Sequence, residues 1–287
     1  MHAGDAWAFK PLVDMSPAEF RDWQVLLEQR TGIVLPEQRR SFLLTHLTAR
    51  MRELGIDDYA TYYHQVTEGP RGAVEWSSLL DRLTVKETRF FRHPASFHAV
   101  GRHLAARIAQ GLQRPLALWS VGCASGEEAY SLAIEAEEAF AAHGQPPCYG
   151  VTATDISLHA LRAGRRGRYQ PARTESMEPA RRERYLMRLD DGAYQVLPWV
   201  AERLCFARLN VLELGAAPLR GFDVIYCQNL LIYFHRWRRH EILNHLASRL
   251  APGGLLVIGV GEAVDWKPES LQPVADDQVL AFLRTRE

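Results

Sequence analysis

The stretch 116–155 constrains this chain more than any other. It reads LALWSVGCASGEEAYSLAIEAEEAF, then a loop, then YGVTATD. The apolar run 116–121 predicts a buried parallel strand, and Gly122 to Gly126 form a small-residue turn. Beyond Glu127, Ala129, Leu132, Ala133, Ala136 and Phe140 recur at helical spacing. A second apolar run, 149–154, ends on Asp155. Strand, glycine turn, helix, strand and acid is the layout of a nucleotide half-site in a doubly wound sheet. Glycine lets a ligand approach the backbone, and an acid ending the second strand can accept hydrogen bonds from both hydroxyls of a ribose. The turn is not GxGxxG and no GxxxxGK[ST] occurs, which points away from pyrophosphate and toward a nucleoside.

Upstream the pattern is all helical. Ser16-Pro17-Ala18-Glu19 is a capping box with proline at the first helical position. It opens a helix carrying Phe20, Trp23, Leu26 and Leu27 that should stop at Gly32. Further helices are expected at 37–54, 58–67 and 73–83. The second buries Leu43, Leu44, Leu47, Met51 and Leu54, and turns Arg39, Arg40, His46, Arg50 and Arg52 to its other face. After a poorly ordered lead-in over 1–14, these helices make an all-helical N-terminal domain, residues 1–85.

From 86 to 287 strands and helices alternate. Strands are expected at 205–210, ending in Asn210, at 222–227, and at 255–260 after a Pro252-Gly253-Gly254 turn. A short strand is expected at 194–197, helices at 157–163, 181–189 and 237–250, and an antiparallel edge strand in the tail 278–284. Main strands that are apolar throughout predict an α/β fold, a doubly wound and mostly parallel sheet. Such sheets bind ligands at strand carboxyl ends. Gly122 to Glu128, Asp155, Asn210 and Gln228 to Tyr233 stand at four of them.

Composition narrows the function classes. The 287 residues carry no formal net charge, which argues against a wholesale polyanion binder. The four cysteines (Cys123, Cys148, Cys205 and Cys227) have no metal-ligand spacing, so no metal is expected. No apolar run reaches membrane-spanning length, and MHAGDAWAFK lacks a signal core, so a cytoplasmic protein without membrane insertion is expected. The stretch 162–188 is basic, with nine Arg against three Glu.

LTVKETRFFRH, GCASGEEAYS, ATDIS, FDVIYCQNLLIYF and LAPGGLLVIGVGE occur here in that order. The combination resembles the chemotaxis receptor methyltransferases, the CheR-type family. The GCASGEE turn and LLIYF resemble the branch serving type IV pilus chemosensory systems. The resemblance implies a Rossmann-like methyltransferase domain over 86–287, with a small β-subdomain near 189–204, behind a receptor-recognition domain. It implies S-adenosylmethionine as cofactor, S-adenosylhomocysteine as product and receptor glutamates as substrate. The partners would be cytoplasmic helices of a methyl-accepting receptor, met by a monomer, with no nucleic acid.

The same resemblance assigns residues. Thr88 and Arg92 would lie over the cofactor, with Gly122 in its cradle and Glu128 at its amine or main chain. Asp155 would hold the ribose, and Asn210 with Val211 would flank the adenine. Gln228 and Asn229 would line the methionine side. Tyr233 would stand beside the methyl, with Arg92 as the other catalytic candidate. Arg39 and Arg50 would face the receptor. Three residues depart from the family pattern: Lys86, a cofactor-side position where Asn is usual, Gln228 where Arg is usual, and Ala129 where Pro is usual.

Plainer readings stand beside these. Phe90 and Phe91 read first as core, Cys123 and Cys227 as buried thiols, and His235 and His240 as surface. Two other functions stay open: methylation of RNA or a small molecule, motivated by the 162–188 arginines, and a cofactor-binding regulator without turnover, motivated by Lys86 and Gln228.

Overall fold

The computed structural model describes residues 14–84 and 87–285; Lys86 and nearly all of the lead-in lie outside them. The chain divides into two compact units, Met1–Val85 and Lys86–Glu287.

The first unit is helical. Helix α1 (Pro17–Thr31) opens on the Ser16–Glu19 capping box and closes on left-handed Gly32. The expected helix from 37 is broken: a separate 3-10 turn, Glu37–Arg39, follows extended Pro36 and precedes α2 (Arg40–Leu54). Asp58 caps α3 (Tyr59–Thr67), and α4 (Gly72–Leu83) ends the unit. Trp23 packs on Tyr62 at 5.6 Å between centroids and edge-on to Tyr63 at 5.1 Å. Leu43, Leu47 and Met51 are buried beside them, whereas Leu44 and Leu54 are only half-buried.

On the basic face of α2, Arg50 is already engaged within the unit. Its Nε and Nη2 donate to the two oxygens of buried Glu75 at 2.8 and 2.7 Å, and its Nη1 to Glu53 at 2.9 Å. The Tyr62 hydroxyl donates to the same Glu75 at 2.7 Å. A planar guanidinium held by a carboxylate on both prongs is a strut between α2 and α4, not a charge held ready for a partner. Arg39, at the end of the 3-10 turn, is exposed.

The second unit runs α5 (Pro94–Ala109), β1 (Leu116–Val121), α6 (Glu127–Ala142), β2 (Tyr149–Asp155), α7 (Leu158–Arg166), β3 (Arg168–Tyr169), α8 (Pro171–Thr174) and α9 (Pro179–Tyr185). It continues with β4 (Leu186–Arg188), β5 (Tyr194–Val196), α10 (Pro198–Ala201), β6 (Leu204–Arg208), β7 (Phe222–Cys227), α11 (Arg236–Ala247), β8 (Leu250–Ile258), β9 (Leu271–Pro273) and β10 (Leu280–Arg284). The main sheet has the order β6-β2-β1-β7-β8-β10-β9. The first five strands are mutually parallel, and β10 is antiparallel to both neighbours.

Three details differ from the sequence reading. β9 takes the edge, so the tail strand β10 is internal. Pro252-Gly253-Gly254 lies inside β8, where the register to β7 slips between Phe222 and Val224, so it makes a bulge rather than a turn before the strand. The span 181–189 divides between α9 and β4. The small second sheet, β3-β5-β4, draws its strands from 168–196; the span 189–204 supplies β5 and the one-turn α10.

Two apolar layers sandwich the main sheet. Phe97, Val100, Leu132, Phe140 and Val257 belong to one, and Trp119, Ile225, Leu243, Leu246 and Leu256 to the other. Full burial of each such large side chain contributes about 1.5–3 kcal/mol. Every β7 position is buried, as a central strand covered on both faces requires. Strand order reverses between β1 and β7, which opens a crevice at their carboxyl ends.

Candidate functional site

The turn after β1 is pinned to the end of β2. Gly122, Ala124 and Gly126 take left-handed backbone at φ 74°, 46° and 94°. The amides of Gly122 and Cys123 donate to the Thr154 carbonyl at 2.8 and 2.9 Å. Asp155 completes the lock, accepting from the Ala124 amide at 2.9 Å on one oxygen and from the Ser157 amide at 2.8 Å on the other. The sequence VGCASGEE therefore folds as a tight turn because its glycines admit positive φ and its acid partner ends the neighbouring strand. A Cβ on Gly122 would stand 3.1 Å from the Leu230 side chain, so this turn and the end of β7 are in close contact.

The paired glutamates at the start of α6 diverge. Glu127 is buried, accepts from Ser125 at 2.7 Å and lies 3.8 Å from Arg173. Glu128 is half-buried and accepts from Ser120 at 2.6 Å. Desolvation, joined by the charges of Glu262 and Asp155, pushes its carboxyl up to about 8, against the Ser120 hydrogen bond and the attraction of Arg92.

The TRFFR segment is anchored through its backbone. Phe90 and Phe91 are buried in the core, Phe91 in left-handed backbone at φ 49°. The Phe91 amide donates to Ser131 at 3.0 Å and the Phe90 amide to the Arg173 carbonyl at 3.1 Å. Arg173 also donates to the Thr88 carbonyl, and the Arg181 guanidinium lies 4.5 Å from the Phe91 ring centre. Thr88 is half-buried. Arg92 remains part-exposed, its Nη1 donating to the Glu87 carbonyl at 2.7 Å.

At the end of β7 the chain crosses a cavity of about 300 Å³ lined by Arg92, His93, Gln228, Asn229, Ile232 and Glu262, among others. Gln228 faces inward: its amide nitrogen donates to Ser96 at 2.9 Å and to the Ile258 carbonyl at 3.2 Å, and its oxygen accepts from Tyr226 at 2.8 Å. Asn229 is left-handed at φ 57°, and its Oδ1 accepts from His93 Nε2 at 3.0 Å. Tyr233 lies half-buried in the 3-10 turn Leu231–Tyr233. Strand β6 stops at Arg208, so Asn210 lies beyond it, where its side chain accepts from the Leu212 amide at 3.1 Å and caps the 3-10 turn Val211–Ala216. The Leu209 amide donates to the Asp155 carbonyl at 3.1 Å, which keeps Asn210 and half-buried Val211 beside β2.

Gly122, Asp155, Asn210 and Val211 thus border one stretch of the crevice, and Arg92, Gln228 and Asn229 line its continuation, with Glu128 electrostatically coupled to both. Arg39 and Arg50 belong to the helical unit. Sequence reasoning missed Glu262, which is 2% exposed and accepts from the amides of Gly259, Asn229 and Ile232 at 3.0, 3.2 and 3.3 Å. Burial pushes its carboxyl up. The signal was its place just past the fifth parallel strand, inside a GVGE run that reads as apolar.

Several arginines of 162–188 are engaged within the fold. Arg181 pairs with Glu135 and Glu138, Arg165 donates to the Phe206 carbonyl, and Arg168 pairs with Asp191. Among the described residues no cluster of His, Cys, Asp and Glu could hold a metal, and no helix is long and apolar enough to cross a membrane.

Residues 86–279 match the family described as "CheR methyltransferase, SAM binding domain", and residues 18–84 match "CheR methyltransferase, all-alpha domain". A chemotaxis protein methyltransferase of Salmonella typhimurium is 33% identical over 251 residues, covering 86% of this chain and 84% of that protein. Chemotaxis protein methyltransferase 1 of Pseudomonas aeruginosa is 32% identical over 262 residues, covering 90% and 94%.

Proposed function

The chain belongs to the CheR methyltransferase family, and from that premise we propose that it transfers the methyl group of S-adenosylmethionine to glutamate carboxylates of chemoreceptors, giving methyl esters. When bound, the cofactor supplies a methyl group on a cationic sulfonium. The donor set suits such a molecule. Glu128, Glu262 and Asp155 crowd one crevice, and two of these carboxyls are pushed upward. Burial is the main cause of both shifts, joined at Glu128 by the charges of Glu262 and Asp155, and a cation placed there favours the ionised carboxylate. This surplus of acid at the topological switch point is the observation that carries the reading.

The proposed roles follow the geometry. Asp155 receives the ribose hydroxyls while its amide partners hold the turn. Asn210 and Val211 flank the adenine. Thr88 and Arg92 close over the methionine end, with Asn229 on its other side. Gln228 supports Asn229 from below, since its amide is already committed to Tyr226, Ser96 and Ile258. A neutral side chain fits that buried position, so the departure from Arg does not by itself argue for lost turnover.

A substrate glutamate needs no general base, because its carboxylate ionises near 4.3 and is charged at neutral pH. What it needs is alignment and removal of water. Arg92 can grip one carboxylate oxygen through its fork, and Tyr233 packs or donates beside the transferring methyl. The proposed partners are the cytoplasmic helices of a receptor, met by a monomer. Arg39, exposed on the helical unit, is the remaining candidate there for contact with those helices. Receptors of the pilus-type branch are the first to try.

The test is transfer of labelled methyl to receptor-containing membranes of the same organism. Label released by mild alkali is the expected result. Label confined to alkali-stable products contradicts the proposal.

A further inference from the structure

Eight large apolar side chains are exposed among the described residues, and four of them fall in the span 232–264. They are Ile232 at 50% exposure, Trp237 at 59%, Val260 at 76% and Val264 at 54%. Their neighbours tie them together. Ile232 and Val260 both line the cavity at the end of β7. Arg236 pairs with Asp265, and His240 Nε2 donates to the Val264 carbonyl at 3.0 Å, which sets the first turns of α11, carrying Trp237, against the loop carrying Val264. Apolar side chains gathered in this way at a cavity mouth mark an interaction surface.

We propose that this collar docks the receptor helix that presents the substrate glutamate: an amphipathic acidic helix that lays apolar residues on Trp237 and Val264 while its glutamate enters the cavity. This rests on the receptor-glutamate reading above. Continuity supplies the first argument. Two collar residues are also cavity walls, so a chain that delivers a side chain inward must cover the collar.

Charge supplies the second. α11 opens with Arg236, Arg238 and Arg239 in its first turns, the end where the helix dipole is already positive. Arg236 pairs with Asp265 and Arg238 with Glu241, while Arg239 donates to the Phe234 and Ile232 carbonyls, so Arg239 and the helix dipole supply the net positive charge toward an acidic partner. The Arg238 guanidinium lies 4.2 Å from the Trp237 ring centre, so apolar surface and positive charge are presented together. A second copy of this chain fits less well, because a two-fold contact centred on the collar would set its basic turn against itself.

The test compares wild type with Trp237→Ala, Val264→Asp and Trp237→Phe on receptor-containing membranes. The first two variants should raise the KM for receptor at least tenfold, with kcat and S-adenosylhomocysteine affinity unchanged, and Trp237→Phe should stay near wild type. Retained cofactor affinity shows that the variants fold. Wild-type KM in Trp237→Ala and Val264→Asp overturns the inference. A shift from dimer to monomer in sedimentation with unchanged KM overturns it in favour of self-contact. Loss of binding to receptor-free anionic vesicles, matching the KM change, overturns it in favour of a lipid surface. If wild type labels no receptor, the parent reading fails and this inference falls with it.

Discussion

The two ends of the parallel sheet hold buried acids in opposite conditions. At the amino end of β7, Asp223 is fully buried and fully matched. Arg107 donates to one oxygen at 2.7 Å, and Arg114 and the Ala117 amide donate to the other at 2.8 and 2.9 Å. His103 donates to the Asp223 carbonyl at 3.2 Å, and burial pushes its imidazole down to about 4. At the carboxyl end, Glu128 and Glu262 are buried or half-buried beside each other, and both are pushed upward.

Cavity size would choose the wrong end. The amino end borders a cavity of about 910 Å³ and the carboxyl end one of about 300 Å³. The smaller cavity is lined by Arg92 and Glu262, and left-handed Asn229 stands in its wall. A buried acid with every partner supplied is a fastening; Glu128, with Ser120 as its donor and two acids beside it, suits a cationic ligand. Backbone held in unfavourable conformations gathers where the rest of the fold overrules it, commonly at functional sites.

Mutations at the two ends should therefore separate stability from binding. The largest effect is expected for Asp223→Ala, which strands two arginines and an amide. It should lower unfolding free energy by about 3 kcal/mol, read by urea denaturation, with S-adenosylhomocysteine affinity of the folded fraction unchanged. Asp155→Ala should do the reverse, weakening that affinity by ~1–3 kcal/mol as charge-assisted hydrogen bonds are lost, measured by titration calorimetry. Equal affinity in wild type and variant would remove Asp155 from the ribose.

Glu128→Gln sharpens the contrast through pH. In the unfolded chain the carboxyl ionises near its ordinary 4.5, while the folded protein keeps the proton to about 8. The folded state thus binds more protons in that window, and stability falls as pH rises from 4.5 toward 8. Glutamine should flatten this decline, visible as a smaller drop in melting temperature across the same range. Wild type should also release a proton on cofactor binding near pH 7, and the variant should not. The smallest effect is expected for Tyr233→Phe: unchanged cofactor affinity and kcat lower about fivefold, the worth of ~1 kcal/mol in one hydrogen bond. An unchanged kcat would make Tyr233 a packing residue.

Much of this was legible in the sequence, for physical reasons. Strands buried on both faces must be apolar throughout, so β1, β2 and β7 announced themselves, and a left-handed turn requires its glycines. The Ser16 capping box fixed the start of α1 to the residue. What failed to show depended on partners distant in sequence. Arg50 and Arg181 read as free charges because Glu75 lies 25 residues from the first and Glu138 43 from the second. The hydrogen bonds of Gln228 did not show because its partners Ser96 and Ile258 come from α5 and β8. Glu262 was hidden among glycines and valines. The bulge in β8 was mistaken for a turn because proline and two glycines serve both.

One measurement bears most directly on the contrast between the two ends: ultraviolet cross-linking of methyl-labelled S-adenosylmethionine to the wild-type chain, followed by peptide mapping. The account predicts label in peptides spanning 122–128, 155–157 or 228–233, and its loss when S-adenosylhomocysteine is added in excess. Label in the peptide 103–116, beside Arg107, Arg114 and the larger cavity, would contradict it.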